Sequence, residues 1–119
     1  MTAQRYHILI DVAGVSKEVL SEREGLEKFL NDLPGIIGMH VLKGPVIAEG
    51  IPENPGLSGF VIIDYSHISI HTFTNSDEAL VDIFSCKPYE QDVAKKAVLD
   101  YFRIDDASAK IQQVSWGWN

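Results

Sequence analysis

"SGFVIIDYSHISIHTF", residues 58 to 73, decides how this chain folds. Val61, Ile62, Ile63, Ile68 and Ile70 demand a packed sheet, because β-branched side chains suit a pleated, half-buried surface. Ser66, His67 and His71 interrupt that apolar run. Strand alternation sorts them: His67, Ser69 and His71 share one face, while Ser66, Ile68, Ile70 and Thr72 share the other. The first face is polar. The second is apolar and is expected to pack beneath helices. Ser66 then either sits among isoleucines or is displaced at a kink between two strands, where it can turn toward the His71 face.

Working outward, "YHILIDV" (6 to 12) alternates as a strand, with Ile8, Ile10 and Val12 on one parity and His7, Leu9 and Asp11 on the other. "SKEVLSEREGLEKFLNDL" predicts one helix capped by Ser16, weakened at Gly25 and stopped by Pro34-Gly35. "GIIGMHVL" (35 to 42) reads as a strand. Residues 43 to 57, which hold three prolines, read as a loop with room for a short extended piece at Val46-Ala48. After a turn at "NSDE" (75 to 78), "ALVDIFSC" is a strand with Val81, Ile83 and Ser85 on one face and Leu80, Asp82, Phe84 and Cys86 on the other. Pro88 marks the start of a second helix, whose stripe is Val93, Ala97 and Tyr101 with Ala94 and Val98 beside it. "SAKIQQVSWGW" is the last strand. The order predicts a single α+β domain over residues 1–119, a two-layer sandwich with two helices on one face of a mainly antiparallel sheet. An apolar remainder on the other face calls for a covering partner, most simply a second copy of the chain.

Composition narrows the function. The chain has 119 residues, 45% hydrophobic and 23% charged, which suits one compact domain. A net charge of -7 disfavours general nucleic-acid binding, which rewards basic surfaces, and suits a cationic or amine-bearing ligand. The N-terminus lacks a basic segment followed by an apolar run, and no stretch approaches the roughly 18 apolar residues of a membrane span. Cys86 is the one cysteine, so no intramolecular disulfide is possible. A soluble protein of the reducing cytoplasm is expected, with no membrane partner.

Several uses of the polar residues compete. His67 and His71 lie about 13 Å apart on a strand, too far to share one ion, so no metal is expected. There is no G-x-S-x-G elbow, so a serine hydrolase is not indicated. By residue type alone, Cys86 is a small core residue, His71 a hydrogen-bonded strand histidine, and Trp116 and Trp118 interface or core aromatics.

The combined pattern says more. An S-G-apolar strand leads to a serine-histidine pair, then isoleucine-histidine-threonine and an aromatic, then a strand ending D-I-F-S-C. In these features residues 58 to 86 resemble the bacterial and archaeal S-adenosylmethionine decarboxylase proenzyme family, on Ser66, His67, His71, Thr72, Phe73, Asp82, Phe84 and Cys86. "RYHILIDV" resembles that family's first strand more loosely. The resemblance implies an S-adenosylmethionine decarboxylase-like fold and a self-made cofactor. Ser66 attacks the carbonyl of Tyr65, the resulting ester eliminates, and the chain is cut between Tyr65 and Ser66. The new N-terminus becomes a covalent pyruvoyl group, which forms a Schiff base with the substrate amine and acts as electron sink while carbon dioxide leaves. On the same resemblance His71 supports processing and Cys86 reprotonates the α-carbon. His67, Ile68, Ser69 and Asn75 fall near the substrate, and the active unit is a homodimer with sites near its interface. The implied product supplies aminopropyl groups for spermidine, hence polyamine, synthesis.

The departures concern substrate. The family usually follows H-T-W with P-E, its glutamate holding the ribose hydroxyls; here Thr74 and Asn75 stand there. The family motif that brings an aromatic and an arginine to the adenosyl pocket survives only as His40 and Ser58-Gly59, and no arginine lies between Arg23 and Arg103. Tyr65 replaces the common glutamate or lysine before the serine. A pyruvoyl-dependent decarboxylase of a smaller cationic amino acid, arginine or ornithine, is therefore an alternative. A non-catalytic homologue that regulates an active subunit is a second alternative, against which the joint presence of Ser66, His71 and Cys86 argues.

Overall fold

A computed structural model describes residues 4–117. The strands are β1 (Tyr6–Val12), β2 (Val41–Ile51), β3 (Asn54–Ile63), β4 (Ser66–Phe73), β5 (Glu78–Ser85) and β6 (Ala109–Val114). They form one sheet in the order β2-β3-β4-β5-β1-β6, and every neighbouring pair is antiparallel. The helices are α1 (Lys17–Leu20), α2 (Arg23–Ile36) and α3 (Gln91–Phe102), with a short 3-10 turn at Asp106–Ser108.

Strand parity holds throughout the centre. Ile8, Ile10, Val61, Ile63, Ile68, Ile70, Val81 and Ile83 are buried, and they meet Leu26, Leu30, Leu33, Ala94, Val98 and Phe102 from the helices. The expected α+β sandwich with helices on one face of an antiparallel sheet is what the chain forms.

Its details differ in four places. The predicted single helix is two, broken at Ser21 and Glu22. Ser16 does cap the first, its Oγ accepting from the Val19 N–H, but Glu22 is extended and the Leu20 carbonyl accepts from the Thr72 hydroxyl at 2.8 Å. Pro34-Gly35 does not stop the helix, which runs to Ile36; Pro34 itself makes no i→i−4 bond, but the Ile37 N–H still donates to Leu33 O at 3.3 Å. Residues 35 to 40 are accordingly helix end and turn, and the strand begins at Val41. Residues 43 to 57 are mostly strand, the β2–β3 hairpin. β2 is an edge strand, so Pro45 lies where one side of the backbone has no ladder partner. In α3 the helix begins at Gln91, past Pro88, and the buried stripe is Ala94, Val98 and Phe102. Val93 faces out, and Tyr101 stacks on Phe29 of α2 with ring centroids 4.4 Å apart.

Two inward positions fix how the helices sit on the strand pair that carries the serine. Gly59 lies under α2: a Cβ there would fall 2.3 Å from Leu30 Cδ1 and 2.9 Å from Ile47 Cδ1. Thr72 is buried, and its hydroxyl accepts from the Leu57 N–H at 2.8 Å while donating to Leu20. The hydroxyl thereby ties β4 to β3 and to the end of α1.

Gly59→Ala is expected to lower stability by about 1–3 kcal/mol through overpacking against Leu30; urea unfolding of the two proteins checks this. Thr72→Val removes partners from two buried backbone groups and is expected to cost about 2–4 kcal/mol, read in the same experiment.

Candidate active site

The sheet face opposite the helices carries the unusual side chains, in rows set by register. Ile62, His67, Phe84, His7 and Val114 form one row across β3, β4, β5, β1 and β6. Phe60, Ser69, Asp82 and Leu9 form the next, and Ser58, His71, Leu80 and Asp11 the one beyond. Aromatic rings form a ladder along the first row and its neighbours. His67 lies between Phe60 and Phe84, with centroids 5.2 and 5.6 Å away, and Trp116 packs on Phe84 at 5.2 Å. His7 Nε2 is 2.6 Å from Asp82 Oδ1, and Trp116 Nε1 donates to His7 Nδ1 at 3.1 Å. Burial first, and the nearby charge of Asp82 second, push the Tyr89 hydroxyl well above the ordinary tyrosine value.

Ser66 stands at one end of the sheet, where β3 turns into β4 through Asp64 and Tyr65, paired in register with Ile63 and Ser85. It is neither in the core nor in a regular strand conformation: its φ is 140°, a region that side-chain-bearing residues rarely occupy and that stores local strain. The bond before it is held on its carbonyl side. The Cys86 N–H donates to the Tyr65 oxygen at 3.0 Å, and the Cys86 thiol donates to the same oxygen at 3.6 Å. Two donors on one carbonyl draw charge onto its oxygen and leave its carbon more open to attack, as in an oxyanion hole. Cys86 is itself exposed, and the buried Ser85 hydroxyl anchors the residue that follows it, accepting from Lys87 N at 2.9 Å and donating to Lys87 O at 2.8 Å.

Two other loops meet at this end. His40 N donates to Asp64 Oδ1 at 2.9 Å, His40 Nδ1 lies 3.1 Å from Asp64 Oδ2, and Asp64 N donates back to His40 O at 2.9 Å. The Asp64 carboxyl is held below its ordinary value, chiefly by that His40 backbone N–H. Lys87 Nζ donates to Gly38 O at 3.2 Å and lies 5.1 Å from the centre of the Tyr65 ring.

The expected site residues therefore separate into groups. Ser66, Tyr65 and Cys86 come together. His71 stands apart, five residues along β4, with its Nδ1 2.7 Å from Ser58 Oγ. Five strand residues span about 17 Å, beyond the reach of an imidazole from its own chain's Ser66. His67 and Ser69 lie on the open face as parity required. Ile68 does not: it is fully buried beneath the helices, so its side chain belongs to the core and leaves the substrate candidates. Asn75 is exposed in the turn between β4 and β5. Arg23, at the start of α2, donates to the Ile47 carbonyl of β2 at 3.0 Å. Trp116 belongs to the aromatic ladder, while Trp118 lies outside the described residues. Sequence reading gave Asp64 and Lys87 no role, since neither carries a motif. His40 and Ser58 were visible only as remnants of a family motif, without the contacts they make here.

Comparisons with known proteins bear on the family and the fold. The sequence profile described as S-adenosylmethionine decarboxylase matches residues 6–113. The S-adenosylmethionine decarboxylase proenzyme of Caldicellulosiruptor saccharolyticus is 36% identical over 86 residues, which span 72% of this chain and 67% of that protein. The proenzyme of the same description from Pyrococcus furiosus is 31% identical over 110 residues, 92% of this chain and 74% of that one. The crystal structure of the adenosylmethionine decarboxylase from Aquifex aeolicus superposes with a TM-score of 0.80 at 22% identity, covering 100% of this chain and 95% of that one, so the fold is shared. With the profile spanning nearly the whole chain and its fold matched end to end, this protein belongs to the S-adenosylmethionine decarboxylase family.

Proposed function

We propose that the chain is a pyruvoyl-dependent S-adenosylmethionine decarboxylase that makes its own cofactor by cutting the Tyr65–Ser66 bond. The observation that carries this is the Tyr65 carbonyl, held by the Cys86 amide and thiol beside a serine at φ 140°. Ser66 Oγ adds to the Tyr65 carbon while the oxygen's charge is received by Cys86. The Ser66 nitrogen then leaves, and an ester replaces the peptide bond. Loss of the Ser66 Cα proton breaks the Cβ–O bond and releases Tyr65 as a carboxylate. The dehydroalanine left behind tautomerises to an imine, and water converts it to the ketone with release of ammonia. Cleavage also relieves the backbone strain at Ser66. The geometry at Ser66 thus fits the precursor of a pyruvoyl group, which supplies an electron sink for decarboxylation. Cys86, exposed and adjacent, is the residue that returns a proton to the substrate α-carbon.

The distance along β4 gives His71 a partner-dependent role. Its imidazole, oriented by Ser58, reaches the Ser66 end only when it comes from a second copy laid antiparallel on the open face. That face offers Phe60, Ile62 and Trp116, each 40–45% exposed, as cover for such a copy. A homodimer whose two sites each combine Ser66 and Cys86 from one chain with His71 and Ser58 from the other satisfies both observations.

Asp11 and Glu78 share the face of His71, which suits a cationic substrate. The same acidity, with Asn75 in place of the ribose-binding glutamate, favours a smaller cationic amino acid as the second reading. A carbon dioxide release assay on S-adenosylmethionine, arginine, ornithine and lysine separates the two.

Intact mass is expected to show chains of residues 1–65 and 66–119 for the natural sequence, and one uncut chain for Ser66→Ala. Cys86→Ala keeps the backbone donor, so it is expected to be cut yet to lose turnover by roughly 10²–10⁴-fold; unchanged turnover removes the proton-donor role. Co-expressed His71→Ala and Cys86→Ala chains are expected to recover activity that neither has alone, because one of the two mixed sites is complete. No recovery places the whole site within one chain.

A further inference from the structure

Tyr65 and Lys87 meet at the bond to be cut, and neither residue is required by the chemistry of Ser66 or Cys86. Lys87 is fixed at both ends. Its backbone N–H and carbonyl are both bonded to the buried Ser85 hydroxyl, and its ammonium is bonded to the Gly38 carbonyl. Its charge has no carboxylate: among the described residues, no ion pair involves Lys87. Instead the ammonium lies over the Tyr65 ring at 5.1 Å, a cation–π contact that steadies an otherwise exposed turn. On the opposite side, Asp64 is held by the backbone and side chain of His40. The two residues of the turn are thus gripped by two neighbouring loops, and Ser66 follows directly at its unfavourable φ.

Cleavage changes what Lys87 faces. Elimination of the ester sends the electron pair of the broken Cβ–O bond to the Tyr65 carboxyl group, which becomes the C-terminal carboxylate of the first chain. A full negative charge then appears on the residue the ammonium already touches. We propose that Lys87 is a positioning residue for self-cleavage, holding Tyr65 by its ring while the bond is whole and pairing with its carboxylate once the bond is cut. The inference rests on self-cleavage between Tyr65 and Ser66. It adds an attraction that grows as the leaving carboxylate develops, and it keeps the new chain end from occupying the site.

Lys87→Met and Lys87→Arg are the test, with Lys87→Gln replacing the former should it not fold. The fraction of cut chain is followed by intact mass, and the Tyr65 carboxylate of the cut protein is titrated by NMR on carbonyl-labelled tyrosine. Lys87→Met is expected to slow cleavage roughly three- to tenfold and to raise the titration midpoint of the Tyr65 carboxylate by about half a pH unit or more. Lys87→Arg is expected to retain the charge pairing and most of the rate. An unchanged rate and midpoint in Lys87→Met, with the natural protein cutting normally, overturns the role of Lys87 alone. A natural protein that never cuts at Tyr65–Ser66 overturns the self-cleavage itself.

Discussion

The bond from the Cys86 N–H to the Tyr65 carbonyl is the interaction on which the site depends. It continues the β4–β5 pairing by one more contact past the Ser66–Ser85 pair. An ordinary ladder would end there in solvent. Here it extends into the β3–β4 turn and grips the peptide that joins two strands. The same bond fixes the register of Phe84 opposite His67 and of Asp82 opposite Ser69, because a slip of one residue would exchange the two faces of the strand. The polarised carbonyl, the aromatic ladder and the buried isoleucines are therefore one register seen at three places.

The two faces of the sheet have divided the work. The inward face is saturated: isoleucines and valines fill it, Gly59 lets Leu30 descend, and Thr72 uses its hydroxyl to close two backbone groups. The open face keeps side chains that interact in pairs, His7 with Asp82 and Ser58 with His71. Reactive groups sit at the open face or its end because burial under the helices leaves no path for a substrate. The I-H-T of the motif shows this division within three residues, with Ile70 and Thr72 turned inward and His71 outward.

Much of the fold was legible because it rests on period-two patterns. Ile8 and Ile10, Ile68 and Ile70, and Val81 and Ile83 each announced the buried face of a strand. What was lost depended on neighbours far away in the chain. Residues 43 to 57 read as a loop because of their prolines, yet an edge strand accepts a proline that a central strand would not. The division of the first helix at Ser21 and Glu22 accompanies a bond from Thr72 to Leu20, 52 residues apart. The stripe of α3 was misjudged by one position because Val93 and Ala94 are equally plausible until α2 and the sheet are in place.

Sequence by itself determined the alternation of faces and the helix-bearing α+β class, since both follow from local spacing and residue type, and the resemblance of residues 58 to 86 to a known motif pointed to the family. Only the tertiary structure decided which atoms meet. It brought Cys86 onto the Tyr65 carbonyl across 21 residues, set Ser66 at a φ no propensity would select, and paired His71 with Ser58 at a remove from Ser66. These are long-range consequences of strand register and loop packing, and a pattern read along one chain carries no information about which loops will converge at the end of a sheet.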